Sequence, residues 1–209
     1  STGDIVTIDG IDHWRRRAVM RDRRFWFGLV GLTMIPGFSV TGLLFHQIYL
    51  AELAGVTLAG WAANYVVYAA CAVAGTLISG QLVDRFTGRR VAAHLMLPIT
   101  LACLSLWLVD GAVGVLLFFI FFGFASGMPN TAVAATMAEM YGTRYLGEVK
   151  AIFLPLGVFS SALSPMAMGM LIDAGYGMAT LMALNISLAL LAQGGAMWML
   201  TKPPAGAGQ

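Results

Sequence analysis

The chain has 209 residues, of which 59% are hydrophobic and only 11% are charged, and its mean hydropathy is +0.81. A water-soluble domain carries about 25% charged residues, because its surface must face water. The composition therefore excludes a soluble globular domain and predicts an integral membrane protein. Cys71 and Cys103 both lie in apolar runs, which does not fit the disulfide framework of a small secreted protein.

The N-terminal segment is polar and then strongly basic. Residues 1–10 have the composition of a flexible linker, and a start without an apolar signal sequence suggests a piece of a longer chain. Asp12 can cap the start of a helix, and the residues Ile11, Trp14 and Ala18 recur on one helical face. We expect a basic helix along the membrane surface. A nucleic-acid-binding arm is the alternative, disfavoured because an apolar segment follows at once.

Six long apolar segments follow the basic run. Each approaches or exceeds the ~20 residues that a helix needs to cross a bilayer, and none alternates as the strands of a membrane barrel do. We therefore predict an all-α membrane protein, a bundle of six transmembrane helices. The predicted organisation is a linker and surface helix at 1–24, a membrane domain at 25–200 with spans at about 25–50, 57–80, 91–109, 112–135, 150–172 and 177–200, and a short tail at 201–209.

The basic residues predict the orientation. If the chain has six spans, all twelve Lys and Arg residues lie on one side of the membrane, in four places: 15–24, 85–90, Arg144 with Lys150, and Lys202. The connections on the other side contain no Lys or Arg, but they carry Glu52, Asp110 and Asp173. Cations are retained on the cytoplasmic side. Both termini are therefore expected in the cytoplasm.

Polar residues near the end of the first span are candidates for a substrate or proton pathway. His46 lies within the first predicted span, and ionisable groups inside a membrane are costly enough to suggest function. Ser39, Gly42 and His46 share a helical face that could line a cavity, and Gln47 follows directly. His46 could bind a carboxylate or carry a proton. A structural histidine near the outer rim is the alternative.

Four further polar residues form pairs one helical turn apart. Asn64 and Tyr68 lie on the second span, and Ser126 and Asn130 lie on the fourth, beside Pro129. Their amides and hydroxyls could hydrogen-bond a substrate. They could equally well link neighbouring helices inside the bundle.

The charged loop between the second and third spans carries a recognisable motif, Gly80-Gln-Leu-Val-Asp84-Arg85-Phe-Thr-Gly88-Arg89-Arg90. It resembles the loop signature of the major facilitator superfamily, Gly-x-Leu-x-Asp-Arg-x-Gly-Arg-Arg/Lys, with Thr87 as an extra residue. Arg23-Arg24-Phe25-Trp26 and the segment Glu139–Glu148 resemble the C-terminal half of monocarboxylate-transporter-like members. The resemblance covers about residues 12–200 and implies one six-helix half of a twelve-helix transporter.

In such a transporter the motif implies a conformational latch. Asp84 would meet a helix N-terminus of the other half, and Arg85 or Arg89 would pair with Glu139. The whole predicted latch comprises Gly80, Asp84, Arg85, Gly88, Arg89, Arg90, Glu139 and Arg144. A solvated turn that only sets the topology is the alternative.

Half of a secondary active transporter is therefore the first functional hypothesis. The resemblance suggests a small organic acid, such as a monocarboxylate, moved with protons by alternating access in a bacterial inner membrane. The expected partners are an N-terminal six-helix half or a second copy, the lipid bilayer and a small-molecule substrate, with no nucleic acid. Efflux of amphipathic compounds and a non-transporting assembly or receptor module are the alternatives.

An enzymatic function is not expected. Ser126-Gly127 could suggest an intramembrane serine protease, but Phe124 stands where the Gly-x-Ser-Gly pattern needs glycine, and no histidine follows His94. No His-Glu-x-x-His motif or cysteine pair is present. The sequence therefore predicts no metal site and no cofactor.

Overall fold

A computed structural model describes residues 4–8 and 10–201 of the chain. Within these residues, six helices are long and apolar enough to cross a membrane, which confirms the predicted six-helix membrane fold. They are Phe25–Phe45, Leu58–Arg85, Gly88–Leu108, Gly111–Tyr141, Leu146–Asp173 and Met178–Leu200, here called the first to sixth spans. The predicted tail lies, apart from Thr201, outside the described residues.

Several spans are longer than predicted, because a helix can continue beyond the hydrocarbon as long as its backbone hydrogen bonds continue. The second span runs on to Arg85 and the fourth to Tyr141. Gly142, with φ +72°, then ends the fourth span. The first span is shorter than predicted: it ends at Phe45, and the separate helix Gln47–Leu53 follows the break at His46.

The first three spans are composite. A π-helical segment opens the first span, and a local break divides each of the next two. Their pieces are Phe25–Val30 and Gly31–Phe45, Leu58–Ala63 and Tyr65–Arg85, and Gly88–Ala92 and Leu97–Leu108.

The N-terminal segment differs from the prediction. Strands β1 (Ile5–Ile8) and β2 (Ile11–Trp14) form an antiparallel hairpin, and Gly10 in the turn has φ +77°. Helix α1 covers only Arg16–Arg21. The predictions of a flexible linker up to residue 10 and of a helix from Asp12 are therefore wrong for the paired segments. Residues rich in β-branched side chains on both sides of a glycine turn favour a hairpin over a helix.

The second and fourth spans approach each other closely at small residues. A Cβ atom at Gly127 would lie 2.0 Å from the carbonyl oxygen of Ala72, and one at Gly123 would lie 2.5 Å from that of Tyr68. Across the same contact, the Ser79 hydroxyl donates to the carbonyl of Met128 at 2.8 Å. Small side chains allow such backbone contact between helices in lipid.

The two ends of the bundle differ in charge. One end, here called the basic end, contains the start of the first span and the end of the sixth. The Arg89 Nε donates to the carbonyl of Leu200 at this end, at 2.9 Å. The Lys and Arg residues that the structure describes all belong to segments at this end. Glu52, Asp110 and Asp173 lie at the opposite end, where the Tyr49 hydroxyl reaches the Tyr176 carbonyl.

Candidate functional site

A cleft opens between the first, fourth and fifth spans. Its larger part has a volume of about 520 Å³, and a narrower part of about 200 Å³ extends from it toward the basic end. The two parts are continuous and together form the cleft, because they share five lining residues, which are Leu32, Thr33, Pro129, Asn130 and Leu154.

Two prolines shape the walls of the cleft. Pro36 and Pro129 both lie inside helices and line it. Proline lacks the N–H that would otherwise bond to the carbonyl four residues earlier, here the carbonyls of Leu32 and Ala125, and both of these residues also line the cleft. The two prolines therefore leave the carbonyl oxygens of Leu32 and Ala125 without their usual helical donor at the cleft wall.

The polar lining of the cleft consists of hydroxyls, one amide and one ammonium group. Of the predicted residues, Ser126 and Asn130 line it. The polar residues that sequence reasoning missed are Thr33, Thr41, Ser161 and Lys150. Thr33 and Thr41 are eight residues apart, a helical spacing that could have indicated a shared face.

Lys150 is the cationic residue of this lining. The sequence groups it with Arg144 as a loop cation, but the fifth span already begins at Leu146, so Lys150 lies on the helix, one turn inside it. The lining residues include no carboxylate. Among the described residues, none forms an ion pair with its ammonium group.

Hydrogen bonds bring three of the predicted pathway residues together. The hydroxyls of Tyr68 and Ser126 lie 2.7 Å apart and link the second and fourth spans. The Asn130 amide is 3.4 Å from the carbonyl of Ser126. Asn64 lies elsewhere: it donates to the Gly60 carbonyl at 2.8 Å and lines a separate pocket of about 250 Å³ at the opposite end.

The predicted stripe on the first span faces the fifth span rather than the cleft. Ser39 is fully buried, and a Cβ atom at Gly42 would lie 2.6 Å from the sulfur of Met168. The stripe of the first span that does face the cleft includes Thr33, Gly37 and Thr41. The expectation that Ser39 and Gly42 line the cavity is therefore corrected, because the helix is rotated about its axis relative to that expectation.

His46 and Gln47 join neighbouring spans near the opposite end. The Nε2 atom of His46 lies 3.0 Å from the Pro165 carbonyl oxygen, and since a carbonyl can only accept, this nitrogen carries the proton. Gln47 accepts a hydrogen bond from the Tyr65 hydroxyl at 2.7 Å. Participation of either residue in substrate or proton movement stays a prediction.

Within the predicted latch, Glu139 binds the backbone at the start of the third span. Its carboxylate accepts the N–H of Gly88 at 2.6 Å and the N–H of Arg89 at 3.1 Å. These contacts use backbone amides, not the guanidinium groups that the sequence suggested. The carboxylate therefore supplies acceptors for orphan donors at a helix N-terminus, where negative charge is favoured.

The other motif residues lie around this contact between Glu139 and the start of the third span. Gly88 is buried, and a Cβ atom there would lie 2.7 Å from the backbone nitrogen of Thr136. Asp84 is exposed, and no described residue bonds to its carboxylate. Arg85 and Arg90 are exposed, and a Cβ atom at Gly80 would lie 4.0 Å from the side chain of Thr131, an ordinary van der Waals distance.

Arg144 belongs to a different contact, between the N-terminal hairpin and the loop after the fourth span. Its backbone N–H points to Nδ1 of His13 at 3.4 Å, and the Arg15 guanidinium lies 4.7 Å from the ring centre of Tyr145. Trp14 packs on Tyr141 with ring centres 5.6 Å apart. The hairpin thus covers the end of the fourth span at the basic end.

The family comparison agrees with the fold, the cleft and the loop motif. The family model described as Major Facilitator Superfamily matches residues 7–165, well over half of the chain. Comparison with curated proteins found no match. Six apolar spans, the loop motif and this match lead to one conclusion: the chain belongs to the Major Facilitator Superfamily, whose members are membrane transporters.

Proposed function

We propose that this chain is one six-helix half of a secondary active transporter that moves a small organic acid together with protons. The cleft between the first, fourth and fifth spans is the substrate path in this proposal. The observation that carries it is the presence of Lys150 in a lining otherwise made of uncharged residues.

The charge of the cleft favours an anionic substrate. An ammonium group partly withdrawn from water, without a described counter-ion, gains from a nearby negative charge, because attraction between charges is stronger in a medium of low dielectric constant. A carboxylate is the simplest organic group that supplies this charge. Asn130 and Thr33 line the same narrower part of the cleft and offer hydrogen bonds that would orient it.

The open side of the cleft favours a second six-helix unit. Leu154 and Val158 flank it on the fifth span with 58% and 67% of their surface exposed. In the proposed assembly, an N-terminal half or a second copy covers this face, and rocking of the two units gives alternating access. The exposed Asp84 is then available to a helix N-terminus of the partner.

The basic end faces the cytoplasm in this proposal, and the membrane is a bacterial inner membrane. The support is the confinement of the described cations to one end. Lys150 then stands near the cytoplasmic mouth of the cleft, while His46 lies toward the opposite side, where it remains a candidate for the coupled proton.

The test is a thermal-shift screen of the purified chain with acetate, lactate, pyruvate and benzoate, and with tetraphenylphosphonium as an amphipathic cation. We expect a monocarboxylate to stabilise the wild type and the variant Lys150→Arg, but not Lys150→Gln. His46→Ala is screened in parallel to test its role.

Proteoliposome uptake of the stabilising acid, with a pH gradient imposed or absent, then tests coupling. Stabilisation by tetraphenylphosphonium alone would favour the efflux alternative. A carboxylate effect that is unchanged in Lys150→Gln would contradict the role given to this residue. A monomeric chain that transports unaided would contradict the half-transporter.

A further inference from the structure

A second, apolar groove lies at the basic end, away from the cleft. Its volume is about 390 Å³, within the range of ligand pockets. It is formed where the second, third, fourth and sixth spans meet, and its lining residues are Leu82, Phe86, Arg90, Val91, His94, Met128 and Thr201. The lining is apolar apart from Arg90, His94 and Thr201.

The groove and the cleft lie on different sides of the bundle. On the fourth span, Met128 lines the groove and Asn130 lines the cleft. Two residues of α-helix correspond to a rotation of about 200°. If a partner unit covers the cleft, which rests on the proposed function, the groove faces lipid.

The groove extends from the level of the charged loop into the hydrocarbon. Gly88, two residues before Arg90, packs against Thr136 of the fourth span, and Met128 lies eight residues before Thr136. At 1.5 Å per residue this is a depth of about 12 Å. The cationic rim is therefore at the height of headgroups, and the apolar floor is at the height of acyl chains.

Arg90, the cationic side chain of the rim, has free capacity to bind an anion. No described carboxylate pairs with the Arg90 guanidinium. The His94 Nδ1 donates to the Arg90 carbonyl oxygen at 3.0 Å, which holds the imidazole ring beside Arg90 at the rim. Phe86, 49% exposed, forms part of the apolar wall below.

We infer that this groove is a binding site for one anionic phospholipid, with the phosphate at Arg90 and an acyl chain along Leu82, Phe86 and Met128. Basic pockets between helices on one side of a membrane protein recognise anionic headgroups in this way. The arrangement explains why a cation and an apolar floor lie in the same groove. It would fix an anionic lipid beside the loop between the second and third spans.

The test is native mass spectrometry of the full chain titrated with phosphatidylglycerol, with phosphatidylcholine of the same acyl chains, and with inorganic phosphate. We expect phosphatidylglycerol to bind about fivefold more tightly than phosphatidylcholine, the effect of one cation near an anionic headgroup. Arg90→Gln should remove this preference, and Arg90→Lys should keep most of it. Leu82→Trp should weaken binding of both lipids by filling the floor.

Arg23→Gln is the matched control, because Arg23 is an exposed cation at the same end outside the groove. Equal losses in Arg90→Gln and Arg23→Gln would show general surface attraction and overturn the site. Phosphate binding as tight as lipid binding, or unchanged lipid binding in Leu82→Trp, would also overturn it. Loss of a dimer in Leu82→Trp would identify a second copy as the occupant instead. The readout is lipid binding, so transport can fail or succeed independently.

Discussion

Glu139, two residues before the end of the fourth span, accepts the backbone N–H of Gly88 at 2.6 Å and so fixes the first turn of the third span against the fourth. The backbone of the loop motif is thus bonded to the fourth span within this chain. Asp84, on the preceding helix, makes no such contact with the described residues. The motif therefore contains Gly88, whose N–H is bonded within this chain, and Asp84, which in the proposed transporter would meet the other half.

Removing the carboxylate of Glu139 should destabilise the contact between the third and fourth spans. We expect Glu139→Ala to lower the free energy of unfolding by about 1–2 kcal/mol, because two N–H groups at a helix start lose their acceptor. Unfolding in detergent followed by tryptophan fluorescence measures the change. Glu148→Ala is the control: its carboxylate lies 3.5 Å from the Arg16 nitrogen, at the limit of hydrogen bonding. A similar loss in both variants would argue against a specific cap.

A methyl group at Gly88 should force the third and fourth spans apart. Its Cβ atom would lie 2.7 Å from the Thr136 nitrogen and 2.9 Å from the Ala135 carbonyl carbon, both backbone atoms. Gly88→Ala should therefore cost about 1–3 kcal/mol of stability. In Gly80→Ala, the nearest atom to the new Cβ is 4.0 Å away, so this variant should be neutral or slightly stabilising. Equal thermal shifts would contradict the close approach.

The contact of the second and fourth spans predicts a larger effect at Gly127. A Cβ atom there would lie 2.0 Å from the Ala72 carbonyl oxygen, and the Thr76 hydroxyl also bonds to the Gly127 carbonyl at 3.2 Å. We expect Gly127→Ala to lower stability by about 3 kcal/mol. Gly194→Ala, where no atom lies within 4 Å of the new Cβ, should have little effect. Unchanged stability in Gly127→Ala would contradict the close contact of the second and fourth spans.

The cleft should contain water, whereas the outer face of the sixth span should not. Val158 flanks the cleft and is 67% exposed, and Leu191 on the sixth span is 73% exposed. With Cys71 and Cys103 replaced by Ala, Val158→Cys should react with a charged methanethiosulfonate at least about tenfold faster than Leu191→Cys. The reason is that only the thiolate reacts, and it forms in water. Equal rates would argue against an aqueous path.

The charge asymmetry predicts a common side for the loops of the basic end. In the same cysteine-free background, Thr87→Cys and Thr143→Cys should be labelled by an impermeant maleimide only after the cell membrane is opened. Ala174→Cys, at the opposite end, should be labelled in intact cells. Labelling of Thr87→Cys and Thr143→Cys from different sides would contradict both the span count and the orientation.

Sequence alone was sufficient for features that depend on local composition. A span is detected because about 20 successive apolar residues suffice to cross the hydrocarbon, wherever they pack. The hairpin was missed although its signal was present: Ile5-Val6-Thr7-Ile8 and Ile11 stand on either side of Asp9-Gly10, and Asp-Gly between such runs is a strong hairpin signal. The recurrence of Ile11, Trp14 and Ala18 on one helical face favoured a helix instead.

The candidate site could be predicted only in part. Ser126 and Asn130 line the cleft as expected for polar residues beside a proline, but Ser39 turns away from it. The rotation of a helix about its axis depends on which of its faces packs best against its neighbours. In lipid the sequence does not mark this face, because the inner and outer faces of a span are both apolar.

The sequence by itself determined that the chain crosses a membrane six times, that its cations gather at one end, and that its loop carries the motif of a known family. Only the tertiary structure decided that Lys150 shares a cleft with Asn130, and that Glu139 binds backbone amides rather than a guanidinium group. Hydropathy and charge act residue by residue along the chain. Contacts between residues far apart in the chain depend instead on how helices rotate and approach, which packing alone selects.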